Sequence, residues 1–223
     1  MSLYILPESY AFVTRAPVIP VMVINDVKQA VPMARALVNG GLTALEITLR
    51  TDCALAAISA IAKEVENADI GAGTVCNAGQ VRDAVSAGAR FIVSPGSSDS
   101  LFAAAEEQGV PMLPGAITAS EVMRVREAGF PVAKFFPSAT SGGAEAIKAF
   151  QGPFGDMLFV PTGGINLDNL RDYLSLSNIP AVGGSWIMPD DAIAAGDWQT
   201  LTTLARQAVD IATAIKDEPQ GTE

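Results

Sequence analysis

The sequence predicts an α/β fold, a (β/α)8 barrel in which eight parallel strands alternate with helices. Short apolar runs alternate with segments of helical periodicity at fairly even intervals along the chain. A length of 223 residues suits one such barrel, and no linker or composition shift divides residues 1–223, so we expect a single domain. An open, doubly wound sheet is the alternative, but eight regular units without a distinct second domain favour the closed barrel.

The elements follow one another in the order that a barrel requires. The apolar runs predict strands at residues 18–24, 44–49, 69–73, 91–94, 111–114, 132–136, 158–161 and 179–183. Apolar residues at helical spacing predict helices at residues 27–38, 54–65, 78–87, 100–108, 119–128, 144–150, 167–176 and 198–215. Gly88, Gly109 and Gly129 fall just after three of these helices, where a left-handed cap is favoured. Residues 1–15 predict an extra N-terminal helix, and residues 216–223 a polar, flexible tail.

Composition narrows the classes of function. With 49% hydrophobic and 17% charged residues, the chain has enough apolar side chains for a well-packed core. A net charge of -10 argues against nucleic acid or an anionic membrane as a partner. The chain contains no histidine, which excludes Ser-His-Asp triads, Cys-His pairs and the usual histidine-bearing metal sites. Acid–base chemistry must therefore come from carboxylates, lysine, tyrosine, cysteine or water.

The cysteines and the N-terminus predict a soluble, cytoplasmic protein. Cys53 and Cys76 form no CxxC motif, which is typical of a reducing compartment. The first residues lack a basic region followed by an apolar signal core. The apolar stretch at residues 16–24 is too short to span a bilayer.

Lys134 is the most informative residue, because it lies within the apolar run PVAKFFP at residues 131–137. A strand places Val132, Lys134 and Phe136 on one face. An ammonium group is costly to remove from water, so a buried lysine tends to become a neutral, nucleophilic amine, as Schiff-base chemistry requires. A lysine at a strand end that reaches solvent along its stem is the alternative.

A second run, LEITLR at residues 45–50, places Glu46, Thr48 and Arg50 together on the inner face of the predicted barrel. Aliphatic side chains normally fill that space, so three polar groups need an explanation. One explanation is an internal ion pair between Glu46 and Arg50. The other is functional, with Arg50 binding a carboxylate and Glu46 transferring protons.

Other polar or glycine-rich segments follow the predicted strands. Thr74 follows Gly71-Ala72-Gly73, where small residues admit a ligand and a hydroxyl can bind it, although a tight turn also explains the pattern. Pro95 closes the fourth strand and is a candidate for the pocket wall. Two glycine pairs, at residues 163–164 and 183–184, end the seventh and eighth strands, where barrel enzymes often bind phosphate; plain turns are the alternative.

Taken together, six segments resemble one enzyme family. They are LEITLRT (45–51), GAGTV (71–75), VSPG (93–96), KFFP (134–137), PTGGI (161–165) and GGSW (183–186). The set is similar to the 2-keto-3-deoxy-6-phosphogluconate (KDPG) aldolases, a family that includes 4-hydroxy-2-oxoglutarate (KHG) aldolases. The resemblance runs in order from about residue 17 to residue 186 and is specific as a set.

The resemblance implies a class I pyruvate aldolase with a TIM barrel, usually a homotrimer, that uses no metal and no cofactor. Such an enzyme cleaves KDPG to pyruvate and glyceraldehyde 3-phosphate in the Entner-Doudoroff route. Its partners are a small keto acid and a phosphorylated aldehyde, with no nucleic acid and no membrane. The alternatives are a KHG aldolase, which gives pyruvate and glyoxylate, and a phosphosugar-binding barrel that is not an aldolase.

The resemblance also implies a role for each candidate residue. Lys134 matches the Schiff-base lysine and Glu46 the general acid/base. The remaining residues match substrate contacts: Arg50 and Thr74 bind the pyruvate carboxylate, Phe136 forms an aromatic wall beside the imine, Pro95 and Thr162 line the substrate pocket, and Gly163, Gly164, Gly184 and Ser185 form the phosphate site. A helix N-terminus expected at Ser185 would add a favourable dipole for phosphate.

Rival barrel functions fit the sequence less well. A metal-dependent aldolase usually needs histidine, which the chain lacks. A phosphosugar isomerase or epimerase does not need a lysine between aromatic residues. A metabolite-binding protein has no use for the combination of Lys134 and Glu46.

Overall fold

The computed structural model describes residues 6–217, which form eight strands and ten α-helices; an α-helix follows each strand, and two follow the last. The strands are β1 Val18–Met22, β2 Ala44–Thr48, β3 Asp69–Gly73, β4 Phe91–Val93, β5 Met112–Leu113, β6 Val132–Phe135, β7 Leu158–Pro161 and β8 Val182–Gly184. The helices are α1 Phe12–Arg15, α2 Val27–Asn39, α3 Ala54–Glu64, α4 Ala78–Ala87, α5 Asp99–Glu107, α6 Ala119–Glu127, α7 Gly143–Phe150, α8 Leu170–Leu174, α9 Asp190–Ala195 and α10 Trp198–Asp217. Among residues 6–217, no helix combines the length and the apolar character needed to cross a bilayer.

All strand pairs of the two sheets are parallel. Six strands form one curled sheet in the order β5-β4-β3-β2-β1-β8, and β6 pairs with β7 in a second sheet. Isolated parallel bridges join Gly115 to Lys134 and Thr162 to Gly183, one at each edge of the smaller sheet. Each strand thus neighbours the next in sequence, unlike an open doubly wound sheet, whose strand order reverses. The predicted α/β class with parallel strands is confirmed.

Alternate residues of the strands face two different cores. The larger core lies between the strands and the helices and includes Leu45 and Ile47 of β2. The smaller core lies on the concave side of the strands and includes Ala44 of β2 and Val132 of β6. Because side chains alternate along a strand, Glu46 and Lys134 also face the concave side, two residues closer to the carboxyl ends.

The N-terminal segment covers the amino ends of the strands. In place of the single helix predicted for residues 1–15, the described part contains a 3₁₀ turn, Glu8–Tyr10, and the short helix α1; residues 1–5 lie outside the described residues. The helix ends at Arg15 because Ala16, which precedes Pro17, is extended, with φ -140° and ψ 143°. Phe12 stacks on Phe91 of the concave core, with ring centroids 4.1 Å apart.

Three predictions near the C-terminus were wrong in detail. Ser185 does not begin a helix: it begins a turn, in which the Met188 N–H donates to the Ser185 carbonyl at 3.0 Å, and α9 starts only at Asp190. The last strand starts at Val182, later than predicted, because Pro180 has no N–H to donate to a ladder. Residues 216–217, predicted as part of a flexible tail, belong to α10, and the rest of that tail lies outside the described residues.

Candidate active site

Lys134 and Glu46 form a buried ion pair on the concave side of the strands. Lys134 is 4% exposed and Glu46 is 2% exposed. Lys134 Nζ donates to Glu46 Oε1 at 3.2 Å, and the two residues come from β6 and β2. The prediction that Lys134 is buried is confirmed, and its amine does not reach bulk solvent. The alternative in which Glu46 pairs with Arg50 was wrong, because the partner of Glu46 is Lys134.

Gly73 makes room for Glu46. A Cβ built on Gly73 would overlap Glu46 Oε1 and lie 2.7 Å from the carboxyl carbon. The missing side chain of Gly73 therefore leaves the space beside β3 that the Glu46 carboxylate occupies where it contacts Lys134. The small residues of β3 are evident in the sequence, but this role of Gly73 was not predicted. The available signal was a glycine on the inner face of one strand beside a strand with an inward carboxylate.

Thr48, the other polar residue of β2, has a structural role. Its hydroxyl donates to the Met22 carbonyl of β1 at 3.0 Å and is fully buried. A buried hydroxyl with a backbone acceptor needs no ligand to satisfy it. Of the three polar groups predicted for the inner face, only Glu46 lies within the strand and pairs with Lys134.

Arg50 and Thr74 meet at the carboxyl ends of β2 and β3. Arg50 lies beyond the end of β2 and is exposed, so the prediction that it continues the inner face of the strand was wrong. Its Nε donates to Thr74 Oγ1 at 2.9 Å. Among the described carboxylates none forms an ion pair with Arg50, so its terminal nitrogens remain available for an anion.

Thr74 has an unusual backbone conformation. Its φ of 58° lies in the left-handed region, which is rare for a β-branched residue. Such a conformation costs about 1–3 kcal/mol and persists where the surrounding structure requires it, often at functional sites. Here it presents the Thr74 hydroxyl to the Arg50 guanidinium and so fixes the direction of that cation.

Phe136 lies between Lys134 and the glycine loop after β7. Lys134 Nζ is 5.4 Å from the centroid of the Phe136 ring, within the range of a cation–π contact. A Cβ built on Gly163 would be 3.5 Å from the same ring. The aromatic ring thus connects the predicted imine site with the predicted phosphate site.

The loop after β7 presents free backbone donors. Gly163 and Gly164 have φ values of 99° and 78°, which only glycine adopts readily. The carbonyls of Thr162 and Gly163 accept hydrogen bonds from the N–H groups of Ser138 and Ala139 at 2.8 and 3.1 Å. Within residues 6–217, the N–H groups of Gly163 and Gly164 donate to no protein acceptor. Free N–H groups in a glycine loop are suited to bind an anion.

Thr162 adds a free hydroxyl on the concave side. The residue is 7% exposed, and its Oγ1 has no hydrogen-bond partner among the described residues. It forms a bridge with Gly183, where a Cβ would overlap the hydroxyl. A buried hydroxyl without a partner costs stability, and a hydrogen bond to a ligand at this position would recover that cost.

The remaining predicted residues lie at the same ends of the strands. Ser185 is exposed and follows Gly184 of β8, whose missing Cβ leaves room for the Trp186 ring. Pro95 is exposed on the loop after β4, and its carbonyl packs against Gly115, which forms a bridge with Lys134. The structure thus brings the predicted residues to one end of the fold.

Comparison with known proteins agrees with this geometry. The family model for KDPG and KHG aldolase matches residues 10–204. A 2-dehydro-3-deoxy-phosphogluconate aldolase of Pseudoalteromonas atlantica is 53% identical over 196 residues, which cover 88% of this chain and 91% of the relative.

Two solved structures are also close. A KDPG aldolase of Legionella pneumophila, with pyruvate captured as a covalent carbinolamine, superimposes with a TM-score of 0.88 at 42% identity, covering 91% of this chain and 98% of that one. The Zymomonas mobilis 2-keto-3-deoxy-6-phosphogluconate aldolase with 3-phosphoglycerate superimposes with a TM-score of 0.85 at 42% identity, covering 91% of this chain and 95% of that one. The chain therefore belongs to the family of KDPG and KHG aldolases.

Proposed function

We propose that this protein is a class I aldolase that cleaves 2-keto-3-deoxy-6-phosphogluconate to pyruvate and glyceraldehyde 3-phosphate. The observation that carries the proposal is the buried pair of Lys134 and Glu46, with 3.2 Å between Nζ and Oε1, at the carboxyl ends of the strands. An amine beside a carboxylate, shielded from water, provides both the nucleophile and the proton-transfer group that an imine mechanism needs.

The reaction begins when Lys134 passes a proton to Glu46 and its free amine attacks the C2 ketone. The resulting carbinolamine loses water after Glu46 protonates its hydroxyl, which leaves an iminium on Lys134. The iminium withdraws electrons from the C3–C4 bond. The Glu46 carboxylate, directly or through a water, removes the C4 hydroxyl proton, and the aldehyde departs.

The second half of the reaction regenerates the lysine. The enamine of pyruvate remains on Lys134, and Glu46 returns a proton to its C3, which becomes the methyl group. Water then hydrolyses the imine and releases pyruvate. After the first transfer from Lys134, the protons move between the substrate and Glu46, the one carboxylate next to Lys134 in the described structure. A single buried glutamate thus serves as both acid and base.

The two ends of the substrate occupy opposite sides of this centre. Arg50, directed by Thr74, binds the C1 carboxylate through its terminal nitrogens. The phosphate lies on the N–H groups of Gly163 and Gly164 and beside Ser185, after Gly184. The remaining contacts surround the reacting carbons: Phe136 covers the imine, Thr162 offers its unpaired hydroxyl, and Pro95 forms part of the pocket wall.

Cleavage of 4-hydroxy-2-oxoglutarate to pyruvate and glyoxylate is the second candidate. Lys134, Glu46 and Arg50 act on the 2-keto acid half, which the two substrates share, and the family model names both activities. The free donors of the glycine loop favour the phosphorylated substrate. A phosphosugar-binding barrel without aldolase activity is less well supported, because simple binding does not explain the buried pair of Lys134 and Glu46.

We also propose a single domain built as a closed (β/α)8 barrel that assembles as a homotrimer in the cytoplasm. The bridges at Gly115 and Thr162, one at each edge of the smaller sheet, support closure. The family resemblance supports the trimer, and the free thiols of Cys53 and Cys76 suit a reducing compartment. Light scattering of the purified protein tests the trimer.

The proposed activity is tested by supplying the phosphorylated keto acid and measuring both products. The wild type should release pyruvate and glyceraldehyde 3-phosphate in equal amounts, and Lys134→Met should release neither. Lys148→Met, at an exposed lysine of α7, is the matched control and should keep full activity. Absence of cleavage by the wild type, or activity in Lys134→Met, would exclude a lysine-based aldolase.

A further inference from the structure

The peptide planes of the glycine loop, residues 162–165, are held through their carbonyl oxygens. Backbone N–H groups of the neighbouring loop hold the first two, as described above. The third carbonyl, that of Gly164, accepts a hydrogen bond from the side chain of Asn169, with Nδ2 at 2.9 Å. The first two carbonyls are held by backbone groups, and the third is held by a side chain. A substitution of Asn169 can therefore remove this third contact without changing the backbone.

The orientation of the Asn169 amide is itself fixed. Its Oδ1 accepts from the Asn166 N–H at 2.9 Å, which directs Nδ2 toward Gly164. The Asn166 side chain in turn accepts from the N–H groups of Asp168 and Asn169 at 2.9 and 3.3 Å. Asparagine residues three apart thus close a small network between the glycine loop and the start of α8.

Helix α8 provides a rigid base for this network. Leu170 is fully buried, and Tyr173 accepts a hydrogen bond from the buried Ser138 hydroxyl at 3.2 Å. Ser138 and Asn169 therefore connect the same helix to both sides of the glycine loop. The loop is attached to packed structure at each end.

Because the peptide bond is planar, a contact that holds a carbonyl oxygen also fixes the direction of the N–H in the same peptide group. In a trans peptide the C=O and the following N–H point in opposite directions. The backbone N–H groups of Ser138 and Ala139 hold the planes that carry the N–H groups of Gly163 and Gly164. Asn169 holds the next plane, after Gly164, and so limits the rotation of Gly164 at the end of the loop. Glycine at φ 78° would otherwise have wide conformational freedom, whose loss on binding opposes affinity.

We propose that Asn169 is a positioning residue that preorganises the Gly163–Gly164 loop for the substrate phosphate. The inference rests on the proposed phosphate site. Asn169 acts through Gly164 and does not itself contact the substrate. It therefore affects the binding of the phosphate end and leaves the chemistry at Lys134 unchanged.

The test measures competitive inhibition by inorganic phosphate in the wild type and in two variants. Asn169→Ala removes the donor to Gly164, and Asn169→Asp keeps an acceptor for the Asn166 N–H but loses that donor. Each should raise the inhibition constant of phosphate and the KM for the phosphorylated substrate by about fivefold, the effect of losing one neutral hydrogen bond. The kinetics of 4-hydroxy-2-oxoglutarate cleavage and borohydride trapping of pyruvate should not change.

Asn178→Ala is the matched control. Asn178 also donates from its amide to a backbone carbonyl, that of Ile147 at 3.1 Å, but it precedes β8 at the amino ends of the strands. This variant should lose stability without any selective effect on phosphate.

The outcomes separate the two proposals. A wild type that phosphate does not inhibit overturns the phosphate site itself. Inhibition of the wild type with unchanged constants in both Asn169 variants overturns the positioning role alone. Equal losses on both substrates in those variants also overturn it, because they indicate general damage to the fold.

Discussion

Replacing Gly73 by alanine should slow turnover far more than it lowers the final yield of imine trapped on Lys134. A Cβ at this position would lie 2.7 Å from the Glu46 carboxyl carbon and would overlap Oε1. Restoring an ordinary carbon contact of about 3.5 Å requires the carboxyl carbon to move by about 0.8 Å. That movement breaks the 3.2 Å hydrogen bond between Glu46 and Lys134.

The size of the kinetic effect follows from this displacement. A misplacement of about 1 Å in a catalytic group can reduce the rate by about a hundredfold, or about 2.7 kcal/mol in the barrier. We therefore expect kcat of Gly73→Ala to fall by about that factor. The amine of Lys134 remains in place, so borohydride should still attach pyruvate to it.

The assay compares steady-state cleavage with single-turnover trapping in the same preparations. Gly71→Ala is the control, because its Cβ would overlap the Phe91 ring on the same face of β3, one layer further from Glu46. It should lower stability and leave turnover per folded molecule unchanged. Normal turnover in Gly73→Ala, or equal losses in both variants, would refute the role of Glu46 as the proton-transfer group.

Other predictions address binding and stability. Arg50→Lys keeps the charge but cannot bind both Thr74 and a carboxylate, so KM for keto acids should rise by about tenfold; an unchanged KM argues against the carboxylate site. Ser185→Asp, at an exposed position, should raise KM for the phosphorylated substrate by about tenfold or more while KHG cleavage changes little, whereas a side chain at Gly184 would collide with Trp186. Burial raises the pKa of Tyr10 above its ordinary value of 10.0, so the folded state keeps a proton that the unfolded chain loses. The free energy of unfolding should therefore fall as the pH rises above 10.0, and urea titrations should show a smaller fall for Tyr10→Phe.

The sequence predicted those parts of the fold and site that depend on local pattern. Apolar runs located each of the eight strands described, and the charge of Lys134 within such a run identified the strand that carries a buried lysine. Strand alternation correctly placed Glu46 on the inner face. These features depend on spacing within a few residues and need no knowledge of distant contacts.

Features that depend on distant contacts were less accessible. The sequence offers two cationic partners for Glu46: Arg50, four residues away, and Lys134, 88 residues away. Only the order of the strands in the folded sheet brings Lys134 within hydrogen-bonding distance. The role of Gly73 depends on the register between β2 and β3. The absence of a helix at Ser185 reflects Pro189, which ends the turn and places the helix start later. The network of Asn166 and Asn169 joins loops whose proximity exists only in the folded structure.

Reductive trapping with pyruvate tests the central claim, that Lys134 forms an imine with the substrate. The protein is incubated with pyruvate and borohydride, digested and examined by mass spectrometry. Of five lysines, at positions 28, 63, 134, 148 and 216, only Lys134 lies on an apolar strand, so one reduced pyruvate adduct should appear, at Lys134 alone. No adduct, or an adduct at another lysine, would contradict the account.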